Sequence, residues 1–193
     1  QATYVQLHTS QGLEVLFMDS FIDSHFVSFL EREYSHIKFS RVDAELDETL
    51  IDKDKSEIVD PTTNQTRGEQ IKSLFQSALG KPKLTVRTEA LKGDSAAPPA
   101  MVLLPEQLRR MQEMSALLQQ HSIEFPEEHI LLVNTSHPMI QNLMNISQGA
   151  IVTGDASSPS AELANMICHH VYDLALMAQK GFNADGMKAF VER

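Results

Sequence analysis

The sequence has little of what many enzyme and membrane classes require. Its 193 residues include no tryptophan and a single cysteine. One cysteine excludes an intrachain disulfide and any zinc site with several cysteines. A lone thiol is typical of a reducing compartment. No apolar run reaches the roughly 18 to 20 residues that span a bilayer, and no signal peptide is recognisable. Lys and Arg total 16 against 26 Asp and Glu, a net charge of -10 that argues against general nucleic-acid binding.

Catalytic motifs are also lacking. The eight glycines are scattered, and no phosphate-binding loop, nucleophile elbow or His-Glu-x-x-His helix occurs. His169 and His170 follow Cys168, but neighbouring helix residues point about 100° apart, so they cannot easily share one metal. We interpret both histidines as helix-face or interface residues and Cys168 as a buried apolar side chain. We expect no catalytic, metal-binding or cofactor-binding residue here; a small α/β enzyme using carboxylates or the two histidines is an alternative.

The acidic charge is concentrated in one segment. Residues 43–60 carry eight acids and two bases, a net charge of -6 that is more than half of the total. Residues 61–66 continue as a polar stretch with little apolar surface to bury. Such a composition predicts a solvated, partly disordered connector. We place it at residues 46–66, between a unit at 1–45 and a unit at 67–193; an acidic docking site is the alternative.

The first unit favours a small β-α-β arrangement. The apolar run Glu14–Met18 predicts a buried strand, and apolar residues at helical spacing follow within 22–30. Ile37 and Phe39 alternate with polar residues, as in a second strand. About 40 residues are too few for a stable domain. We therefore expect the end of a larger α/β domain that starts upstream, and the absence of an initial Met supports this.

The second unit predicts an α/β domain with a three-stranded sheet and terminal helices, so the whole chain is assigned to the mixed α+β class. Apolar periodicity and turn residues supply the boundaries. The predicted elements are a helix ending at Gly80, a strand at Leu84–Thr88, a strand returning beside it at Ala100–Leu103, a strand at Ile130–Val133, a short helix from Pro138, a small-residue loop at 149–159, and a long helix beginning at Ser158 and Pro159.

Two helices have the composition of binding surfaces. The first lies at 108–118, where methionine side chains can adapt to varied apolar partners, although periodicity alone favours a core face. The second, at 161–180, is apolar on two sides, which indicates burial from two directions, in a large core or at an oligomer interface. With the last segment, 187–193, it would pair with its symmetry mate as a four-helix bundle.

Several motifs in this order resemble those of the heat-shock protein 90 chaperone family. Gly12–Met18 followed by Ile22-Asp23 looks like a signature late in that family's middle domain. Leu108–Met111 resembles its methionine-rich amphipathic helix, and Leu132–Pro138 resembles its asparagine, then histidine-proline, motif at a strand-to-helix junction. The last two helical segments fall where its dimerisation helices belong. The bacterial branch, HtpG, is the most similar.

The resemblance implies a homodimeric, ATP-driven cytoplasmic chaperone, of which this chain holds the end of the middle domain and the C-terminal dimerisation domain. ATP and Mg²⁺ would bind upstream, so we expect no cofactor and no ATP hydrolysis in this piece. The implied partners are a second copy and partly unfolded client proteins, without nucleic acid or membrane. A purely structural oligomerisation module is the alternative.

The resemblance also implies site residues. The implied client-contacting residues are Leu108, Met111, Met114, Leu117 and Leu118. The implied dimer contacts are Leu163, Met166, Ile167, His170, Val171, Leu174, Met177, Phe190 and Val191.

Overall fold

The structure is a computed structural model, and it describes residues 2–18, 20, 22–44, 46–55, 65–93, 96–105, 129–153, 158–179 and 184–192. Within these ranges the elements are α1 (Ala2–Ser10), α2 (Asp23–Glu33), two short 3-10 helices (Glu48–Leu50 and Lys53–Lys55), α3 (Arg67–Leu79), β1 (Thr85–Glu89), β2 (Ala100–Leu103), β3 (Ile130–Asn134), α4 (Pro138–Thr153), α5 (Pro159–Gln179) and α6 (Ala184–Glu192). Helices combined with a three-stranded mixed sheet confirm the predicted α+β class.

The sheet has β3 at its centre, in the order β1-β3-β2. β1 is parallel to β3, with Val86 opposite Leu131, and β2 is antiparallel to β3, with Met101 opposite Leu132. The three predicted strands are confirmed, but the prediction that β2 returns beside β1 was wrong, because β3 lies between them. The central place suits β3, since Leu131, Leu132 and Val133 are each 0% exposed and a strand covered on both faces needs such a run.

The two faces of the sheet support two separate cores, because successive side chains of a strand point to opposite faces. The larger core joins one face to α3, α4 and α5, and its buried residues are Ile71, Phe75, Leu79, Leu84, Val86, Ala100, Val102, Leu131, Val133, Ile140, Leu143, Met144, Ala164, Cys168, Val171, Tyr172 and Ala175. The smaller core lies on the other face, and its buried residues are Tyr4, Leu7, Leu50, Leu91, Ala97, Met101, Leu103 and Leu132.

Helix α1, which the sequence analysis missed, packs into the smaller core through Tyr4 and Leu7. The Tyr4 hydroxyl donates a hydrogen bond to the Val102 carbonyl oxygen (2.7 Å) and accepts one from the Val102 N–H (3.2 Å). Val102 lies on β2, an edge of the described sheet, so the phenol satisfies groups that another strand would otherwise pair with. Residues of the predicted first unit therefore contact the sheet; the division of the chain into units stays a prediction.

The β-α-β arrangement predicted for residues 1–45 was wrong in its two strands. The helix exists as α2, but residues 13–18 and 37–40 are in neither helix nor strand. Leu16 and Phe17 are 63% and 82% exposed. A strand forms only when a neighbouring strand satisfies its backbone groups, and the described residues supply none beside these two segments.

The acidic segment is folded where the structure describes it, at residues 46–55, which corrects the expected partial disorder there. Its role as a connector between two units stays a prediction. Leu50 is 0% exposed and belongs to the smaller core. The backbone N–H of Asp52 donates to the carbonyl oxygen of Ala90 at 2.7 Å. A few apolar anchors are enough to hold this segment, while most of its acidic side chains face water. Residues 56–64 lie outside the described residues.

Helix α3 shows how the sequence sets its own boundaries. The Thr66 side chain accepts from the Glu69 backbone N–H, and the Glu69 carboxylate accepts from the Thr66 N–H, which completes a capping box. Gly80 ends the helix at φ 56°, a left-handed conformation that glycine adopts without strain. The predicted end at Gly80 is confirmed, whereas Thr66, assigned above to the polar connector, is the N-cap.

Helices α4 and α5 largely match their predicted starts. α4 begins at Pro138 and runs to Thr153, so residues 149–153, which were predicted to be part of a loop, are helical. The Ser158 hydroxyl accepts from the Ala161 N–H at 3.3 Å, and Pro159 is the first residue of α5, as predicted. Proline suits this position because the first helical N–H has no partner within the helix.

Candidate functional site

Helix α5 has two apolar faces with different environments. Its inner face is buried in the larger core and comprises Ala164, Cys168, Val171, Tyr172 and Ala175. A second stripe on the opposite side is largely exposed. We call it the outer stripe, and it comprises Leu163, Met166, Ile167, His170, Leu174 and Met177.

The outer stripe presents large apolar side chains to water. Leu163, Met166 and Leu174 are 43%, 40% and 45% exposed, whereas Ile167 is partly buried against the larger core. Monomeric proteins rarely expose a contiguous stripe of this kind unless it binds something. The exposure therefore makes the outer stripe a candidate contact surface.

Helix α6 extends this apolar surface. The Phe190 ring packs edge-on against His170 of the outer stripe, with ring centroids 5.3 Å apart at 85°. Met187 and Val191 lie four residues apart, on one side of α6, and are 45% and 75% exposed. Met187 was missing from the predicted contacts, although its spacing from Val191 is the signal that identifies it.

Val171 differs from the other predicted dimer contacts. It is 2% exposed and belongs to the larger core, so it has almost no surface to offer a partner. Eight residues after Leu163, it lies about 80° around the helix, toward the inner face. The sequence pattern grouped it with the outer stripe because both faces are apolar.

Cys168, His169 and His170, the side chains considered for catalysis or metal binding, are packed against other residues. Cys168 is 0% exposed, and burial raises the pKa of its thiol to about 12, which leaves no thiolate for nucleophilic attack at neutral pH. His170 contacts Phe190, and His169 also has an interaction partner. Among the described residues, no group of three His, Cys, Asp or Glu side chains is placed to hold a metal.

The predicted client-contacting residues lie in a part of the chain that the structure does not describe, between residues 106 and 128. Leu108, Met111, Met114, Leu117 and Leu118 therefore stay predictions. Of the described residues, Pro105 directly precedes this segment and His129 directly follows it. His129 is buried, and its Nε2 lies 3.0 Å from the hydroxyl of Tyr172 on α5, a contact that the sequence did not signal.

The asparagine of the predicted strand-to-helix motif is a buried structural junction. Asn134 ends β3, and its side-chain oxygen accepts from the backbone N–H groups of Leu91 (3.0 Å) and Ser136 (3.1 Å). Its amide nitrogen donates to the Pro98 carbonyl oxygen at 3.2 Å. One 0% exposed side chain thus joins the loops around all three strands, and the predicted placement between β3 and α4 is confirmed.

His137 of the same motif caps α4. Its Nδ1 accepts from the backbone N–H of Met139 at 3.1 Å, which satisfies a donor that has no partner within the helix. Burial lowers the pKa of His137 below its ordinary value, so the neutral ring that accepts this bond is favoured.

Comparison of the sequence with known protein families identifies the family of this chain. The profile of the Hsp90 protein family matches residues 1–193. The chain belongs to the Hsp90 family, which confirms the resemblance.

Individual relatives give the same result. The chain is 32% identical over 155 residues to chaperone protein HtpG of Bacteroides thetaiotaomicron, an alignment that covers 78% of this chain and 22% of that protein. It is 29% identical over 150 residues to HtpG of Porphyromonas gingivalis, covering 75% and 21%. For HtpG of Wolbachia pipientis wMel the identity is 25% over 138 residues, covering 70% and 21%. The chain thus spans about a fifth of the length of these chaperones.

Membrane insertion has no candidate among the helices that the structure describes. Each of them is too short or too polar to cross a bilayer.

Proposed function

We propose that this chain is the homodimerisation and client-binding part of an ATP-driven Hsp90 chaperone. The observation that carries the proposal is the apolar surface of α5 and α6, where Leu163, Met166, Leu174, Met187 and Val191 are all at least 40% exposed. A buried inner face holds α5 on the sheet, so the outer stripe is free to meet another molecule. Membership of the Hsp90 family supports a chaperone role.

The proposed contact is two-fold symmetric. A standard interface buries about 800 Å² on each partner, so we include α6, whose Met187 and Val191 are exposed beside the stripe, in the contact. Two copies of α5 and α6 then form a four-helix bundle in which each stripe meets its equivalent. Val171 takes no part, because it belongs to the larger core.

Client binding is assigned to the predicted methionine-rich segment at 108–118. Because the dimer would present two such segments, a client bound by one meets the other at a high effective concentration. The clients are partly unfolded proteins with exposed apolar segments. ATP and Mg²⁺ bind in a domain outside this chain, the chain itself hydrolyses nothing, and the protein acts in the cytoplasm without nucleic acid or membrane.

The exposed apolar residues of the first 40 positions support a further part of the proposal. Leu16, Phe17, Ile22, Phe26 and Phe29 are each at least 46% exposed. We assign them to the end of the Hsp90 middle domain, where residues outside this chain cover them. In the proposed full-length protein these side chains would be buried, and they are exposed here because the covering residues are not part of this chain.

Light scattering coupled to size-exclusion chromatography tests the dimer. At micromolar concentrations the chain is expected to have twice the monomer mass, and Leu174→Glu is expected to have the monomer mass because it places a charge in the contact. Asn165→Glu is the matched control, since Asn165 is exposed on α5 but lies away from the outer stripe. A wild-type monomer at tens of micromolar would contradict the proposal.

Suppression of aggregation tests client binding. The chain is expected to slow aggregation of a chemically denatured protein, and Met111→Ser with Met114→Ser is expected to weaken that effect while dimer mass and helicity stay unchanged. Intact wild-type dimers without any suppression would favour the purely structural oligomerisation module. Loss of folding in the double variant would show that these methionines are core residues.

A further inference from the structure

Asp43 is a buried carboxylate that connects three distant parts of the chain. It is 5% exposed although it begins the most acidic segment of the sequence. Its carboxylate accepts from Arg41 Nε at 2.9 Å and from Arg41 Nη2 at 3.1 Å. The same carboxylate accepts from Gln179 Nε2 at 3.0 Å, and its backbone carbonyl oxygen accepts from the Leu104 N–H at 3.0 Å.

The carboxylate is held in its charged form. Burial alone would raise the pKa of Asp43, but the hydrogen bonds from Arg41 and Gln179 and the charge of Arg41 outweigh it and lower the pKa. Hydrogen bonds to a charged group are shorter and stronger than those between neutral groups. The bond from Gln179 is therefore a strong tie between residues 136 positions apart in sequence.

Gln179 lies at the C-terminal end of α5, where a hydrogen bond from outside the helix stabilises it most. It is the last residue of α5, and the last carbonyl groups of a helix have no partner within it, so helix ends fray. A carboxylate only accepts hydrogen bonds, which fixes the amide with its nitrogen toward Asp43. The other amide atom, Oε1, is buried without a hydrogen-bond partner among the described residues, so Asp43 is the side chain's one polar anchor there.

The end of α5 is also the end of the outer stripe. Leu174 and Met177 lie in the last two turns, and α6 begins at Ala184, shortly after Gln179. We propose that Asp43, through its bond to Gln179, is a positioning residue for the two-protomer contact, holding the end of α5 at the angle that α6 and the outer stripe need. This inference rests on the proposed homodimer.

The hydrogen bond from the Leu104 N–H attaches the Asp43 backbone to the chain beside the sheet. Leu104 directly follows β2, so the Asp43 backbone is fixed to the sheet while its side chain reaches α5. A displacement of residues 41–44 that broke this attachment to the sheet would also stretch the bond to Gln179 and shift the end of α5. The segment before the acidic stretch is thereby coupled to the dimer contact.

The dimer dissociation constant of Gln179 variants tests the inference. Gln179→Leu keeps the size of the side chain but removes the donor. Because the bond lies within one chain, it acts on the dimer only by holding α5 in the orientation of the contact, so the dissociation constant is expected to rise by at most about tenfold, the limit set by a hydrogen bond to a charged group. Gln179→Arg keeps an N–H donor and is expected to retain the wild-type constant. Gln76→Leu is the matched control, because Gln76 is exposed on α3. Asp43→Asn is expected to raise the constant, and Gln179→Leu added to it to raise it little further.

The outcomes separate the inference from the proposed function. A wild-type chain that is monomeric overturns the homodimer and the inference with it. A dimeric wild type whose constant is unchanged in Gln179→Leu overturns the inference alone. A lower unfolding midpoint in Gln179→Leu with an unchanged dissociation constant also overturns it, because the bond would then be purely structural.

Discussion

Two short apolar runs in this chain have similar compositions and opposite environments. Ile130–Val133 forms the central strand, with Leu131, Leu132 and Val133 each 0% exposed. Leu16–Met18 lies outside helix and strand and is 63%, 82% and 40% exposed at its three residues. Both runs predict a buried strand by the same rule.

The difference comes from the neighbours. β3 has β1 on one side and β2 on the other, and α5 covers one of its faces while α1 covers the other. Residues 16–18 have no comparable strands beside them in the described part of the chain. An apolar run therefore indicates that burial is favourable, but whether the run is buried depends on the neighbouring elements of the fold.

Truncating one residue in each run is expected to give the largest contrast. Leu131→Ala removes packed atoms from the larger core and is expected to lower the free energy of unfolding by about 2–5 kcal/mol, whereas Leu16→Ala is expected to change it by less than about 0.5 kcal/mol. Denaturation followed by circular dichroism measures both, at one protein concentration because a dimer's stability depends on it. Equal losses would show that residues 16–18 are packed in solution.

The next largest effect is expected at Tyr4, where the N-terminal part of the chain does reach the sheet. Tyr4→Phe removes the hydroxyl that pairs with both backbone groups of Val102, and it is expected to lower the free energy of unfolding by about 1–3 kcal/mol. Tyr34→Phe is the matched control, since Tyr34 is 48% exposed. The same denaturation experiment applies, and identical results for the two variants would contradict the edge-pairing role of Tyr4.

A smaller, pH-dependent effect is expected at His137. Its pKa is lowered in the folded state, so below its ordinary value of about 6.5 the unfolded chain binds the proton more readily. The stabilising cap is thus fully present above that pH and is lost as the pH falls through the lowered folded value. His137→Asn keeps a capping acceptor that does not titrate. From pH 7 to pH 5 the unfolding midpoint of the wild type is expected to fall relative to that of the variant, because only the wild type loses this contribution. A difference that stays constant with pH would exclude this titration.

The smallest effect on stability is expected at Phe17, the most exposed residue of its run. Phe17→Ser is expected to change the free energy of unfolding by less than about 0.5 kcal/mol but to reduce binding of a dye that fluoresces on apolar surfaces, because it removes part of an exposed patch. Val133→Ser is the contrasting variant, since it alters a 0% exposed residue. Unchanged dye binding in Phe17→Ser would contradict the exposure of this residue in solution.

Local signals in the sequence predicted much of the second unit. The strands of the sheet, the C-terminal glycine of α3 and the Ser158-Pro159 start of α5 all follow from patterns within a few residues. The two apolar sides of α5 were also visible. The sequence did not show which side meets the core, because that depends on the sheet beneath the helix. Val171 was assigned to the dimer contact for this reason, although it belongs to the larger core.

Contacts between distant residues could not be predicted from any pattern. Tyr4 pairs with Val102, Asn134 holds Leu91, and Asp43 binds Gln179. The sequence marked Asp43 as part of a solvated acidic stretch because composition averages over neighbours. Burial of one carboxylate depends instead on donors that the fold brings to it.

The sequence by itself determined the family, the α+β class and the positions of helices α3 to α5 and the three strands, because these depend on local periodicity and on motifs in a fixed order. The tertiary structure alone decided that β3 is central, that α1 and the acidic segment complete a second core, and that the outer stripe of α5 faces water. Strand order and exposure depend on which surfaces from distant parts of the chain meet. Because the hydrophobic effect is non-directional, an apolar side chain does not by itself specify which surface will cover it.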